Sequence, residues 1–425
     1  MNAHAWRLHP AWQEPRASRH EVWTHYDAIV RGECPADAVL QDAARRARAR
    51  DDAAGVCDLT TLRALRHLIL EELAEATDLA RTATRMARTE ALRASECFAS
   101  VVLARARRSN GEPHRALQIL QALHRYADPA FHGWIQWELV LTGHPAEPTS
   151  PLAQALHAAL AHARAGERAP CEHALSTLER SMAATALLRQ DLAVVGLGLG
   201  LDTNDERLPH DVRRWQHGER GDLPWGLAGL SGSEQPVHVL VVPGQRGRRI
   251  LDTALPLHGP LERLPSTPGA QNRSDALIAA LGLAGPAGSA DAELFAAVYG
   301  FPFVRATHQG VLDVLVHRTR ARLPSLGRLE RIEDGYALAP ALPFSVHDPR
   351  SGSRDDDRVL RLVAARGSLT AREASASLGV SLRKAQQVLD SLAGSGACVQ
   401  LRAGRHYEYR VEDTTFQEPT DVRRS

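Results

Sequence analysis

SLTAREASASLGVSLRKAQQVLDSLAGSG, residues 368–396, decides the fold of the C-terminal part of the chain. Thr370 to Leu378 reads as a short helix, Gly379-Val380 as a turn, and Ser381 to Ala393 as a second helix. Ser381 stands where an N-cap is needed, its hydroxyl able to accept from a free N–H of the first turn. Leu382, Ala385, Leu389 and Leu392 share one face at helical spacing, which leaves Arg383, Lys384, Gln386 and Gln387 on the remainder. Upstream, Asp357 to Ala365 supplies a preceding helix. Downstream, CVQLR and HYEYRV read as strands, with Arg402 and Arg405 bracketing the turn Ala403-Gly404. Residues 354–410 hold ten Arg or Lys against six Asp or Glu, so this segment is locally basic.

Helix, helix, turn, helix and hairpin in this order resemble the winged helix-turn-helix modules of the MarR and DeoR type. The resemblance implies a recognition helix that starts at Ser381 and lies in a major groove. Arg383, Lys384, Gln386 and Gln387 would face bases and phosphates, and Arg402 and Arg405 the flanking backbone or minor groove.

Outward from this stretch, VHVLVV (Val237 to Val242) and RRILDT (Arg248 to Thr253) read as two strands. Helices follow at Ser274 to Leu283, Ala290 to Tyr299 and Gly310 to Leu323, and then the hairpin RLERIEDGYALAP. LDVLVHRTRARL (Leu312 to Leu323) and GYAL (Gly335 to Leu338) are similar to the recognition helix and wing end of the OmpR-type winged helix. The resemblance implies that Arg318 faces bases while His317 and Arg320 face phosphates, with Arg322 adding charge near the helix end. Ala337 stands where that family carries a basic wing residue, and Glu333 and Asp334 in the hairpin turn would repel phosphate.

Toward the N-terminus the pattern is helical, with segments at Glu21 to Arg31, Ala36 to Arg50, Leu62 to Ala83, Glu90 to Arg108, Pro113 to Tyr126, Phe131 to Leu141, Pro151 to Ala165 and Cys171 to Leu188. The breaks at Ser109 to Pro113 and Ala165 to Glu167 each lead into a helix, as in stacked helical hairpins. The stretch resembles a tetratricopeptide-like array, and a plain helical bundle is the alternative. The expected fold class is mainly α with small β wings. Its parts are an N-terminal helical segment (1–60), an α-helical domain (61–195), a linker (196–235), the OmpR-like winged helix (236–345), a linker (346–356), the second winged helix (357–416) and a flexible tail (417–425).

Composition fits this class: 44% hydrophobic residues, 5% aromatic and 24% charged over 425 residues describe a chain able to fold into two to four domains. A net charge of +1 supplies no global attraction to nucleic acid, so any attraction is local. Cys34, Cys57, Cys97, Cys171 and Cys398 lack the paired spacing of a zinc site or disulfide framework. His157 and His162 are five apart without a completing ligand, and GLGLGL (Gly196 to Leu201) has no phosphate-loop context. Trp134 and Trp137 read as core anchors. No catalytic motif, cofactor, metal site, signal peptide or membrane span is legible.

The chain is therefore expected to be a cytoplasmic, non-enzymatic regulator that binds double-stranded DNA. Its helical domain would dimerise or sense a signal or protein partner. An interaction protein whose winged helices contact other proteins is the rival reading, supported by the near-zero charge and the acidic first hairpin.

Overall fold

The computed structural model describes residues 19–127, 129–144, 147–181, 186–201, 208–219, 223–224, 227, 230, 236–266, 272–352, 355–403 and 406–411. The protein is mainly helical, with small sheets in the C-terminal part.

Its N-terminal region is a series of helices with a strict period. Helices α1 (Arg19–Arg31), α2 (Asp37–Ala49), α3 (Ala53–Ile69), α4 (Leu73–Thr89), α5 (Arg93–Ser109) and α6 (Pro113–Tyr126) follow one another. Between α2 and α6 every connection is three residues long, and its middle residue is left-handed: Asp51, Glu71, Ala91 and Gly111, at φ of 54°, 62°, 53° and 85°. The next N–H in each case returns to the carbonyl five residues back, Asp52 to Ala47, Glu72 to His67, Leu92 to Ala87 and Glu112 to Arg107, at 2.8 to 3.0 Å. The repeat is thus one helix and one turn, 20 residues. Ala76, Ala80, Ala83 and Ala87 form a fully buried stripe along α4, small enough for its neighbours α3 and α5 to approach closely.

Two expectations change here. The helix expected over Leu62 to Ala83 is broken at 70–72, and the boundary expected at residue 60 falls inside α3. Residues Ala54 to Leu68 of that helix are mostly buried, so the first 60 residues do not form a separate piece; those before residue 19 lie outside the described ones.

Helices α7 (Pro129–Leu141), α8 (Pro151–Ala165), α9 (Arg168–Ser181) and α10 (Ala186–Gly198) continue the array. A buried ion group joins three of its helices. Arg105 bonds Glu138 and Asp191 at 2.8 Å each, Arg108 bonds the same two carboxylates at 2.7 and 3.2 Å, and the Trp137 indole donates to Asp191 at 2.9 Å. Burial alone would raise the Asp191 carboxyl, but Arg105 and Arg108 more than offset it and hold it below the ordinary range.

The expected linker over 196–235 is largely packed where it is described. It begins within α10 and contains α11 (His210–Gln216), whose Val212 and Trp215 are buried. Trp215 donates to Ser351 Oγ at 2.6 Å, and its carbonyl accepts from Arg249 at 2.8 Å.

Both contacts lead to a four-stranded sheet in the order β2 (Arg248–Leu251), β1 (Pro236–Val241), β7 (Phe344–Gly352), β3 (Glu262–Arg263). β1 pairs antiparallel with β2 and β7, while β3 runs parallel to β7. The linker expected at 346–356 is therefore largely a central strand. HDPRSG reads as polar because Asp348, fully buried, is bonded by Arg249 at 2.9 Å and Arg350 at 2.7 Å. Val237, Leu240, Ile250 and Leu251 extend the core of the helical array, while Val239, Val241, Phe344 and Val346 belong to the core beneath the next helices.

Those helices are α12 (Arg273–Ala284), α13 (Asp291–Tyr299) and α14 (Arg305–Arg320). A short strand β4 (Ser289–Ala290) pairs with the hairpin β5 (Gly327–Ile332) and β6 (Gly335–Pro340). The last unit runs α15 (Asp355–Arg366), β8 (Leu369–Thr370), α16 (Ala371–Leu378), α17 (Leu382–Gly394), β9 (Val399–Ala403) and β10 (His406–Arg410), with sheet order β8-β10-β9. It has its own core, and α15 lies against α6, where the Gln118 amide donates to the Val411 carbonyl. The expected tail, 417–425, lies outside the described residues.

Candidate nucleic-acid interface

Local chemistry sets the geometry of the last unit. Thr370 and Glu373 cap α16 reciprocally, and Gly379 ends it in the left-handed conformation at φ 65°. The chain then enters α17 through Ser381, whose hydroxyl accepts from the Lys384 N–H at 3.2 Å, as its position in the sequence required. Ala385, Val388, Leu389 and Leu392 are buried. Leu382, assigned to the core face from spacing, is 51% exposed: it lies in the first turn, ahead of the point where α17 meets the core.

Arg383, Lys384 and Gln387 are exposed along the outer side of α17. Lys384 leans toward Asp355 at 3.4 Å, a solvated pair that holds it weakly. Gln386 is placed differently from expectation. Its amide donates to the Tyr409 hydroxyl at 2.6 Å and to Asp390 at 2.9 Å, so it does not stand free on a reading face. Tyr409 also accepts from Gln400 at 2.8 Å and donates to Asp390 at 2.7 Å. Burial and the bond to Asp390 push its phenol up, which keeps the donor proton in place.

Cross-strand register gives the hairpin's contribution. Tyr409 lies opposite Gln400, and two residues outward Tyr407 lies opposite Arg402. A period of two puts both pairs on one face of the hairpin, the face that meets α17 through Tyr409. Arg402 and Tyr407 are exposed there. Arg405 lies outside the described residues.

The earlier unit is arranged otherwise. His317 and Arg318 are exposed on α14. Arg320 reaches back to the Leu329 carbonyl at 3.4 Å and sits 6.0 Å from the Tyr336 ring, while Arg331 pairs with Asp291 through two bonds of 3.0 Å. Arg322 is ion-paired with buried Asp275 and donates to the Pro265 carbonyl at 2.6 Å, so it fastens α14 to α12. The outward side of α14 and the loop before it also expose Phe301, Val304, Val311 and Val314. Phe295 beneath that loop stacks on His308 and Tyr299, with ring centroids 4.6 and 4.4 Å apart.

Among the described residues no group of three His, Cys, Asp or Glu is placed to hold a metal ion, and no helix is long and apolar enough to cross a membrane. Comparison with family models, curated proteins and solved structures gives no match for this chain.

Proposed function

We propose that this protein is a regulator that binds double-stranded DNA through its last unit, used as a winged helix with α17 in the major groove. One observation carries the reading. Arg383, Lys384 and Gln387 stand exposed on α17 beside an exposed Arg402 on the hairpin, and the helical array holds the unit through α15 instead. Arg383 and Gln387 have the donor sets that read guanine and adenine edges, and Lys384 and Arg402 are suited to phosphates. Selection of bound genomic fragments by the full-length protein at two salt concentrations tests this. A shared motif whose retention falls with salt supports it, and the absence of enrichment at either salt refutes it.

A second reading applies to the earlier unit, as a protein-contact module. Its outward helix exposes Val311 and Val314 beside His317 and Arg318, and Arg320, Arg322 and Arg331 are engaged within the unit. The helical array would then serve dimerisation or sensing in a cytoplasmic regulator without catalytic activity.

A further inference from the structure

Thr307, Gly310, Val314, His317 and Ala321 are all exposed along the outward side of α14 and at the residue that ends it. Their spacing of three, four, three and four residues is the narrow stripe of a helix that packs against one other helix. The core side of α14 is filled separately by Leu312, Leu315 and Val316. Val311 and Arg318 border the outward stripe, where paired helices make their flanking contacts. The stripe is presented rigidly: the His308 ring stacks on Phe295, and its Nδ1 accepts from the Val304 N–H at 2.8 Å, which fixes the entry into α14.

Gly310 lies in the middle of this stripe. Its φ is not positive, and a Cβ built there would meet nothing within 4 Å among the described residues. Neither turn geometry nor packing within the chain therefore calls for glycine, which weakens a helix relative to alanine. A bare backbone at the centre of an exposed stripe does serve a partner, because it lets a second helix cross closely. Charge narrows the kind of helix. Asp313 is the only acid in α14, and it already accepts from Gln309 at 3.1 Å and from the Tyr336 hydroxyl at 3.5 Å. Arg305 and Arg318 are exposed, and no acid in the first turn offsets the positive end of the helix dipole. A second copy of this chain would offer the same cationic face, setting like charge against like.

We propose that the outward face of α14 docks an acidic amphipathic helix of another protein. The partner crosses at Gly310, lays apolar residues on Val311 and Val314, and carries Asp or Glu toward Arg318. This inference names the partner class for the protein-contact reading of the earlier unit and rests on that reading.

Selection from a displayed library of helical peptides randomised on one face, against the full-length protein and with Gly310→Leu as counter-target, tests it. The expected peptides carry apolar residues at three-four spacing flanked by Asp or Glu, and bind Arg318→Glu about tenfold more weakly. Gly310→Ala supplies a pair of signs that misfolding cannot imitate. Its melting temperature should rise, because alanine favours the helix and meets nothing, while its affinity for an enriched peptide falls. Unchanged peptide affinity in Gly310→Ala and Gly310→Leu, or a lowered melting temperature in Gly310→Ala, overturns the docking face. Enrichment of basic or uncharged helices that still lose affinity in Gly310→Leu overturns the acidic class and leaves the protein-contact reading standing. Self-association in sedimentation that Gly310→Leu abolishes replaces the acidic partner by a second copy. No enrichment at all, or a loss of affinity for a labelled DNA duplex in Gly310→Leu, overturns both the partner class and the protein-contact reading.

Discussion

Gln386 Nε2 donates to the Tyr409 hydroxyl at 2.6 Å, a bond that ties the middle of α17 to the second strand of the hairpin. With Asp390 and Gln400 on the same hydroxyl, the angle between helix and hairpin is set before any ligand arrives. The surface left for recognition is thereby narrowed to the first two turns of α17 and the outer end of the hairpin. Preorganisation of this kind lowers the ordering cost of binding.

Tyr409→Phe should therefore act on stability. Removing the hydroxyl takes the common partner from two amide donors and a carboxylate at a partly buried site where Asp390 and Gln400 reach solvent, a loss of about 0.5 to 1.5 kcal/mol. Denaturant unfolding followed by a probe in the last unit checks this. A midpoint equal to wild type would mean that the network contributes nothing.

Replacing Arg383 and Lys384 together with Ala should weaken specific DNA binding by about 1 to 3 kcal/mol and flatten the dependence of affinity on salt, with little change in melting temperature. Arg322→Ala should do the reverse. It removes the cation paired with the buried Asp275 carboxylate and should destabilise the protein by about 1.5 to 3 kcal/mol, while DNA affinity of the folded fraction is preserved. Anisotropy titrations beside thermal melts separate the two effects, and equal DNA losses in both variants would return α14 to the binding site.

The sequence was most legible where local chemistry and burial agreed. Gly379 and Ser381 each carry a turn or cap role that the structure realises, and the core spacing of α17 holds from Ala385 onward. It was least legible where tertiary contacts override local preference. Asp51, Glu71 and Ala91 occupy left-handed positions that usually announce themselves as glycine, so the 20-residue period was invisible and two helices read as one. Asp348 and Trp215 sit in segments that look like linkers because the partners that bury them, Arg249 and Ser351, are far away in sequence. In the candidate site, the exposure of Arg383 and Lys384 followed from helical spacing, whereas the inward turn of Gln386 depends on Tyr409, 23 residues away.

Acidification should destabilise the protein from near neutrality downward. Burial pushes His114, His238 and His258 down to about 4; cations beside His114 and His258 add to this, and Asp252 partly opposes it at His238. Unfolded, these side chains titrate near 6.5, so between pH 6.5 and 4 the unfolded chain binds protons that the folded chain refuses. Stability is full above that window and falls through it, with uptake of up to about three protons on unfolding near pH 5. Below pH 4 the carboxyls act in the same direction. Arg63 holds Asp37 down to about 2, so its contribution persists above the unfolded value of 3.8 and is lost as pH falls toward 2. Urea midpoints at successive pH values read the slope directly, and a midpoint that rose between pH 7 and 5 would show that these histidines are not held neutral.

The helical repeat supplies a test with opposite signs at equivalent positions. Ala91 and Gly111 both sit in left-handed turns one period apart, at φ 53° and 85°. A side chain costs about 1 to 2 kcal/mol in that conformation, and glycine repays part of the difference through its larger freedom in the unfolded chain. Ala91→Gly should therefore stabilise the array by about 0.5 to 1 kcal/mol, whereas Gly111→Ala should destabilise it by a similar amount. Glu71→Gly, in the same geometry at φ 62°, should gain less than Ala91→Gly, because it also loses the bond that the Glu71 carboxylate accepts from the His210 N–H at 2.8 Å. Chemical denaturation of the three variants is the measurement. Should Ala91→Gly and Gly111→Ala shift the midpoint in the same direction, the two turns do not share one conformation, and the 20-residue period is not the unit on which the array is built.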